Sequence, residues 1–268
     1  MNAIFETYNS LVNKFRVIEK DTGPDEIHDK RVILRRIFPV LTAFGISPSK
    51  VKNGDKAFKL YGKLRDIQVQ IDKLENLELN PPFIEYLEFL KVKESKLKEK
   101  VHKFSIRNEV KYPLIKKKMK VNVDKIKIKA IKQQIILIAK IQSLINGDAI
   151  KFHLIRIDFK KYRYIVEVLR YIDIIDEEKL EEMKYYQDML GEIHDYEVFN
   201  NAVRRYCKKR SQFEVIDIDI FIKNQIVLEE NFINSAKKLI EICKSVIYNN
   251  SYIIGLNSNF NSKTDQRF

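Results

Sequence analysis

"IHDKRVILRRIF", residues 27–38, and "FHLIRIDFKKYRY", residues 152–164, share an order: His, two residues, Arg, three residues, then a basic pair. Successive residues of an α-helix are about 100° apart, so positions i, i+3 and i+7 fall within about 60° of one another. His28, Arg31 and Arg35 therefore form one stripe with Arg36 on its shoulder, while Ile27, Ile33, Leu34, Ile37, Phe38 and Leu41 fill the rest of the wheel. In the later stretch His153, Arg156 and Lys160 form the same stripe, bordered by Lys161 and Arg163, with Phe152, Phe159, Tyr162 and Val166 on the core side. Both are amphipathic helices with a basic face.

A second pair of motifs follows in the same order. "GKLRDIQV" at 62–69 matches "GEIHDYEV" at 191–198, with Gly, Asp and Val at equal offsets and Arg65 opposite His194. The gap between the motifs differs by only four residues between the two halves of the chain. Two ordered matches on the expected helices point to an internal duplication. Unrelieved like charges one turn apart repel. A chain that repeats such a stripe at matched positions is expected to offer it to an anion.

Apolar residues at spacings of three and four predict helices over about 3–20, 24–44, 55–79 and 82 to beyond 104. Pro24, Asp25 and Glu26 suit the start of the second, and Pro39 is expected to kink or shorten it. The periodicity lapses over 111–125, the expected boundary between repeats 1–115 and 126–248. It resumes over about 126–145, 149–172, 177–209 and 218–248. The Asn- and Ser-rich tail, 249–268, is expected to be disordered. The fold class predicted is all-α: two four-helix bundles in one 268-residue domain.

Composition agrees. Hydrophobic residues make up 45% of the chain, enough for a core, and seven glycines, six prolines and no tryptophan leave little material for many tight turns. The formal net charge of +13 attracts polyanions: nucleic acid, an acidic membrane surface or polyphosphate. No apolar run approaches the roughly 20 residues of a spanning helix, and no secretory signal opens the sequence, so a cytoplasmic protein without membrane insertion is expected. Cys207 and Cys243 read as packed thiols, although the sequence leaves their pairing open.

These four motifs resemble the repeats of the CHAD family, the conserved-histidine α-helical domain. Its repeats open with a "VHDLRVALRRLR"-like helix and continue with an "LGRLRDLDV"-like one. The likeness runs over roughly residues 3–248. It implies two bundles related by pseudo-twofold symmetry, their basic helices meeting at a shared positive surface or cavity. It also implies binding of inorganic polyphosphate, in the stand-alone form of the family. The resemblance carries polyanion contact to His28, Arg31, Arg35, Arg36 and Arg65, and to His153, Arg156, Lys160, Lys161, Arg163 and His194 in the second half. Departures are the lysine pair Lys160–Lys161, which lacks the bidentate guanidinium fork, and His194 where arginine is usual. Histidine charging predicts tighter binding below about pH 6.5.

Other readings compete. A nucleic-acid binder would use the same charge, with the lysine-rich span 91–132 as its track. An adaptor for polyphosphate granules or a protein partner would use the same residues. The pairs His28–Asp29 and His194–Asp195 resemble those of metal-dependent phosphohydrolases. Adjacent helical residues diverge by about 100°, however, and no P-loop or nucleophile elbow accompanies them. No catalytic residue, cofactor or metal site is expected. Tyr162 and Tyr164 read as core and rim residues, and His102 as solvent-facing.

Overall fold

The computed structural model describes residues 2–75, 81–116, 119–172, 175, 177–208 and 218–248, and the predicted tail lies outside them. Among the described residues eight α-helices follow in order: α1 (Asn2–Ile18), α2 (Pro24–Ala43), α3 (Gly54–Glu75), α4 (Pro81–Arg107), α5 (Val123–Ile145), α6 (Phe152–Arg170), α7 (Glu177–Lys208) and α8 (Asp219–Tyr248). One 3-10 turn, Pro48–Lys50, interrupts the α2–α3 connection. No strand occurs among the described residues; an isolated antiparallel bridge joins Lys52 and Lys111. The protein is all-α.

Local chemistry sets the helix ends. Pro24 occupies the first turn of α2 with Asp25 and Glu26 beside it, where a missing N–H costs nothing and acids meet the positive end of the dipole. Gly45 at φ +73° then turns the chain, a conformation that side chains with a Cβ adopt at a cost. Asn122 caps α5 by accepting a hydrogen bond from the Lys125 N–H at 2.9 Å. Pro39 does not shorten α2, contrary to the sequence expectation: the helix continues to Ala43, and Val40 and Leu41 beyond the proline are fully buried. Burial of each such aliphatic side chain contributes about 1.5–3 kcal/mol, comparable to the cost of a proline inside a helix.

Within each half, consecutive helices pack side by side, and α5 also meets α8. Across the halves α2 lies against α6 and α3 against α7, so the four motif-bearing helices meet at the centre. The core does not divide at the predicted boundary. A large cluster runs from Ile4 and Phe15 of α1 through Leu34 of α2 and Phe159 of α6 to Leu239 of α8. A smaller one joins Ile71 of α3 and Tyr86 of α4 to Phe199 of α7 and Phe221 of α8. The arrangement is compatible with a duplication whose halves share their interior. The stretch between α4 and α5 is itself packed. Val110 and Ile115 are buried, the Tyr8 hydroxyl donates to the Pro113 carbonyl at 2.7 Å, and Tyr112 meets Phe15 edge-on.

Candidate functional site

The α2/α6 and α3/α7 contacts bring the four motifs together around a cavity of about 570 Å³. Helix α2 contributes His28, Arg31, Arg35 and Arg36; α3 contributes Arg65; α6 contributes Arg156, Lys160 and Arg163; and α7 contributes His194. The remaining two predicted residues lie elsewhere. His153 sits beside His194, and Lys161 is exposed, bonded to Asp158 at 3.0 Å and turned to an adjoining cavity. That neighbour, about 600 Å³ and largely apolar, is walled by Phe38, Phe58, Ile157, Ile165 and Val168 and shares Arg35, Arg156, Lys160 and Tyr164 with the basic one.

The predicted residues are not equivalent. Arg36 lies 3.1 Å from the buried Glu167 carboxylate, and Arg163 is itself buried, donating to the Gln187 side chain at 3.1 Å. Both lean on the scaffold, although their buried Nε–H groups find no hydrogen-bond partner among the described residues. His28 stands exposed at the mouth. Arg31 and Arg35 pack their guanidinium groups against the Phe58 ring, at 5.8 and 5.4 Å from its centroid. Arg31 has only a long contact, 3.8 Å, to the half-exposed carboxylate of Asp66. At the matched positions Arg31 and Arg156, the Nε–H groups are buried and find no hydrogen-bond partner among the described residues. A buried donor left without an acceptor costs about 1–3 kcal/mol, more when charged.

The cations are crowded. Burial, and then the charges of Arg156, Arg35 and Arg31, push the Lys160 ammonium down to about 6. Burial followed by Arg35 lowers Arg31 to about 10. His194 falls to about 3, through burial and then Arg156, and His28 is lowered by desolvation and then Arg65. In the ligand-free protein burial and the neighbouring cations favour the neutral form of both rings, so the expected histidine charging requires the bound anion.

Several lining residues lie outside the predicted binding set. Asp66, Glu181, Asp188, Glu192 and Asp195 temper the positive charge, and Lys184 adds to it. Asp66 and Asp195 had a visible signal, since they are the shared Asp of the second motif; the α7 residues 181, 184 and 188 had none beyond helical spacing. Lys30, within the basic run, points the other way. It is fully buried, donates to the Glu19 carbonyl at 2.9 Å and to that of Asp21, and lies over the Tyr61 ring. Tyr162 is a core residue whose hydroxyl donates to the Cys243 carbonyl at 2.9 Å, and Tyr164 lies on the cavity rim. Both cysteines are free, and His102 is exposed.

Fold and site together define a class: an all-α protein in which two similar basic helices, one from each half of the chain, face a common cavity. The chain belongs to the CHAD family, whose model matches residues 3–204, ending in the last turns of α7 rather than extending through α8. It is similar in fold to the CHAD domain from the plant Ricinus communis, with a TM-score of 0.56 and 12% identity over 89% of each chain. No curated protein matches it. No helix among the described residues is long and apolar enough to cross a membrane.

Proposed function

We propose that this protein binds inorganic polyphosphate, without cleaving it, in the cavity between α2, α3, α6 and α7. The observation that carries the reading is the pair of buried, unpartnered Nε–H groups on Arg31 and Arg156. Each guanidinium offers donors in a fixed fork suited to phosphate oxygens. Arg31 and Arg35 on α2, and Arg156 and Lys160 on α6, are each four residues apart, a rise of about 6 Å that suits every second phosphate or so of a flexible chain. The polyanion relieves the mutual repulsion of these cations, and its displaced counterions favour binding further. Arg65 and His28 extend the contact at the mouth.

Nucleic acid is the second reading, favoured by a separate groove carrying Lys63, Lys93, Lys96, Lys100 and Arg205. Its aromatic residues are engaged with one another: Tyr206 lies 4.8 Å from Tyr86 and 4.9 Å from Phe89, ring centre to ring centre. Stacking platforms for bases are therefore not on offer there. A competition titration separates the readings. Polyphosphate binding is expected to survive an equal charge of duplex DNA, whereas displacement by DNA at equal charge would favour the second reading. Release of orthophosphate from polyphosphate by the pure protein would refute the non-catalytic assignment. A cytoplasmic location, at granules or free in solution, belongs to the same proposal.

A further inference from the structure

Where α6 begins, His153 turns toward His194 of α7, with their Nδ1 atoms 3.4 Å apart and ring centres 5.0 Å apart. Glu197, one helical turn beyond His194, places a carboxylate oxygen 3.7 Å from the same Nδ1. Ligand-capable atoms of all three residues lie within 4.8 Å of one another. The duplication supplies an internal comparison. Arg65 and Gln68 occupy the first-half positions matched to His194 and Glu197. Gln68 is buried there, donating to the Thr22 carbonyl and to Glu94. The second half has thus replaced a cation by an imidazole and an amide by a carboxylate, side by side. Neither change helps to hold a polyanion. Both are needed to hold a cation.

We propose that His153, His194 and Glu197 bind a divalent transition-metal ion of the zinc type. Zinc bonds of about 2.0–2.1 Å to nitrogen at tetrahedral angles put two ligand atoms about 3.3–3.4 Å apart, the separation already present between the two rings. Two imidazoles and a carboxylate suit Zn²⁺, Co²⁺ or Ni²⁺ better than Mg²⁺ or Ca²⁺, which prefer oxygen alone. Each neutral ring can offer the ion its facing Nδ1 lone pair while carrying its N–H on the outer Nε2. Arg156 and Lys160 from α6 and Arg31 from α2 oppose it, whereas Asp195 and Glu192 on α7 favour it. His194 also lines the basic cavity, so a bound ion stands at its rim with a coordination position to spare. This site does not depend on polyphosphate being the ligand of that cavity.

Titration of the full chain with Co²⁺, followed by its visible absorption and then by displacement with Zn²⁺, tests the proposal. One equivalent of Co²⁺ should develop bands of low-symmetry coordination, and Zn²⁺ should remove them. A hundredfold excess of Zn²⁺ over its Kd should raise Tm by about 5 °C. The bands should be lost in His153→Ala and in His194→Arg, which installs the residue of the first half, and binding should weaken in Glu197→Gln. Far-UV circular dichroism reports whether each variant is folded, and Glu197→Gln changes least. Absence of the bands, or equal Co²⁺ affinity in the parent, His194→Arg and Glu197→Gln proteins, would overturn the assignment; the latter would place the metal at His28, His102 or a thiol.

Discussion

At Lys160 the demands of stability and of binding oppose one another. Its ammonium is half-buried beside Arg156, Arg35 and Arg31, and its pKa of about 6 lies far below that of a lysine in an unfolded chain, about 10.4. The unfolded chain therefore binds more protons between these values. The penalty on the folded state is complete below about pH 6 and recedes as pH rises toward 10. Lys160→Met should raise the Tm of the ligand-free protein at pH 7 by a few degrees and weaken polyphosphate binding by roughly tenfold. Melting with and without ligand checks both signs. A polyanion that restores the charged ammonium must also bring in a proton. Calorimetric titration at pH 8 in two buffers of different ionisation enthalpy should show net proton uptake, and affinity should fall as pH rises from about 6 to 9. No uptake would place the charge of the site elsewhere.

At the scale of the element, α2 shows how one helix serves core and cavity together. Its apolar face buries Ile27, Leu34, Ile37 and Leu41, which fixes the direction of the Arg31–Arg35 stripe. That much was legible from periodicity, as were the eight helices to within a few residues. The expected shortening at Pro39 failed because local propensity was weighed without the burial of Val40 and Leu41 beyond it. Lys30 was invisible for the same reason: nothing in the run "HDKRV" says that the Glu19 and Asp21 carbonyls wait beneath one lysine. Arg163 depends on Gln187 of α7, a partner that only packing brings within reach, whereas Lys161 pairs with Asp158 one turn back on its own helix, at a spacing the sequence already shows. On α7, Phe199 is fully buried at 4.4 Å from Phe221 and 6.3 Å from Tyr86. Phe199→Ala should cost about 3–5 kcal/mol in chemical denaturation, since it opens a void where α4, α7 and α8 meet.

For the whole molecule, the shared interior has a direct consequence. A fragment of residues 1–115 would expose Ile71, Tyr86 and Leu90, which α7 and α8 cover in the intact chain. It should fail to unfold cooperatively by circular dichroism, whereas independent melting of the two halves would contradict a common core. The repeated stripe, with which the fold is compatible, could be read from the motifs, whereas the meeting of the two basic helices followed from the resemblance to the CHAD family. That the halves exchange core side chains could not be read from either, because hydrophobic periodicity marks which face is buried but not its partner. The net charge of +13 acts at this scale as well. With four to six phosphate contacts, affinity should fall about a hundredfold between 50 and 200 mM salt.

The most direct measurement is a titration of the intact protein and of its Arg31→Ala/Arg156→Ala variant with long-chain polyphosphate at fixed salt, in the presence of duplex DNA at equal charge. These two arginines are matched across the duplication, and both leave a buried donor unpartnered. The expected result is binding by the parent that persists in DNA and weakens by about a hundredfold or more in the variant, each charge-assisted contact contributing about 1.5–3 kcal/mol. Equal affinity in parent and variant, with the variant folded, would contradict the account, because the central cavity would then not be where the polyanion lies.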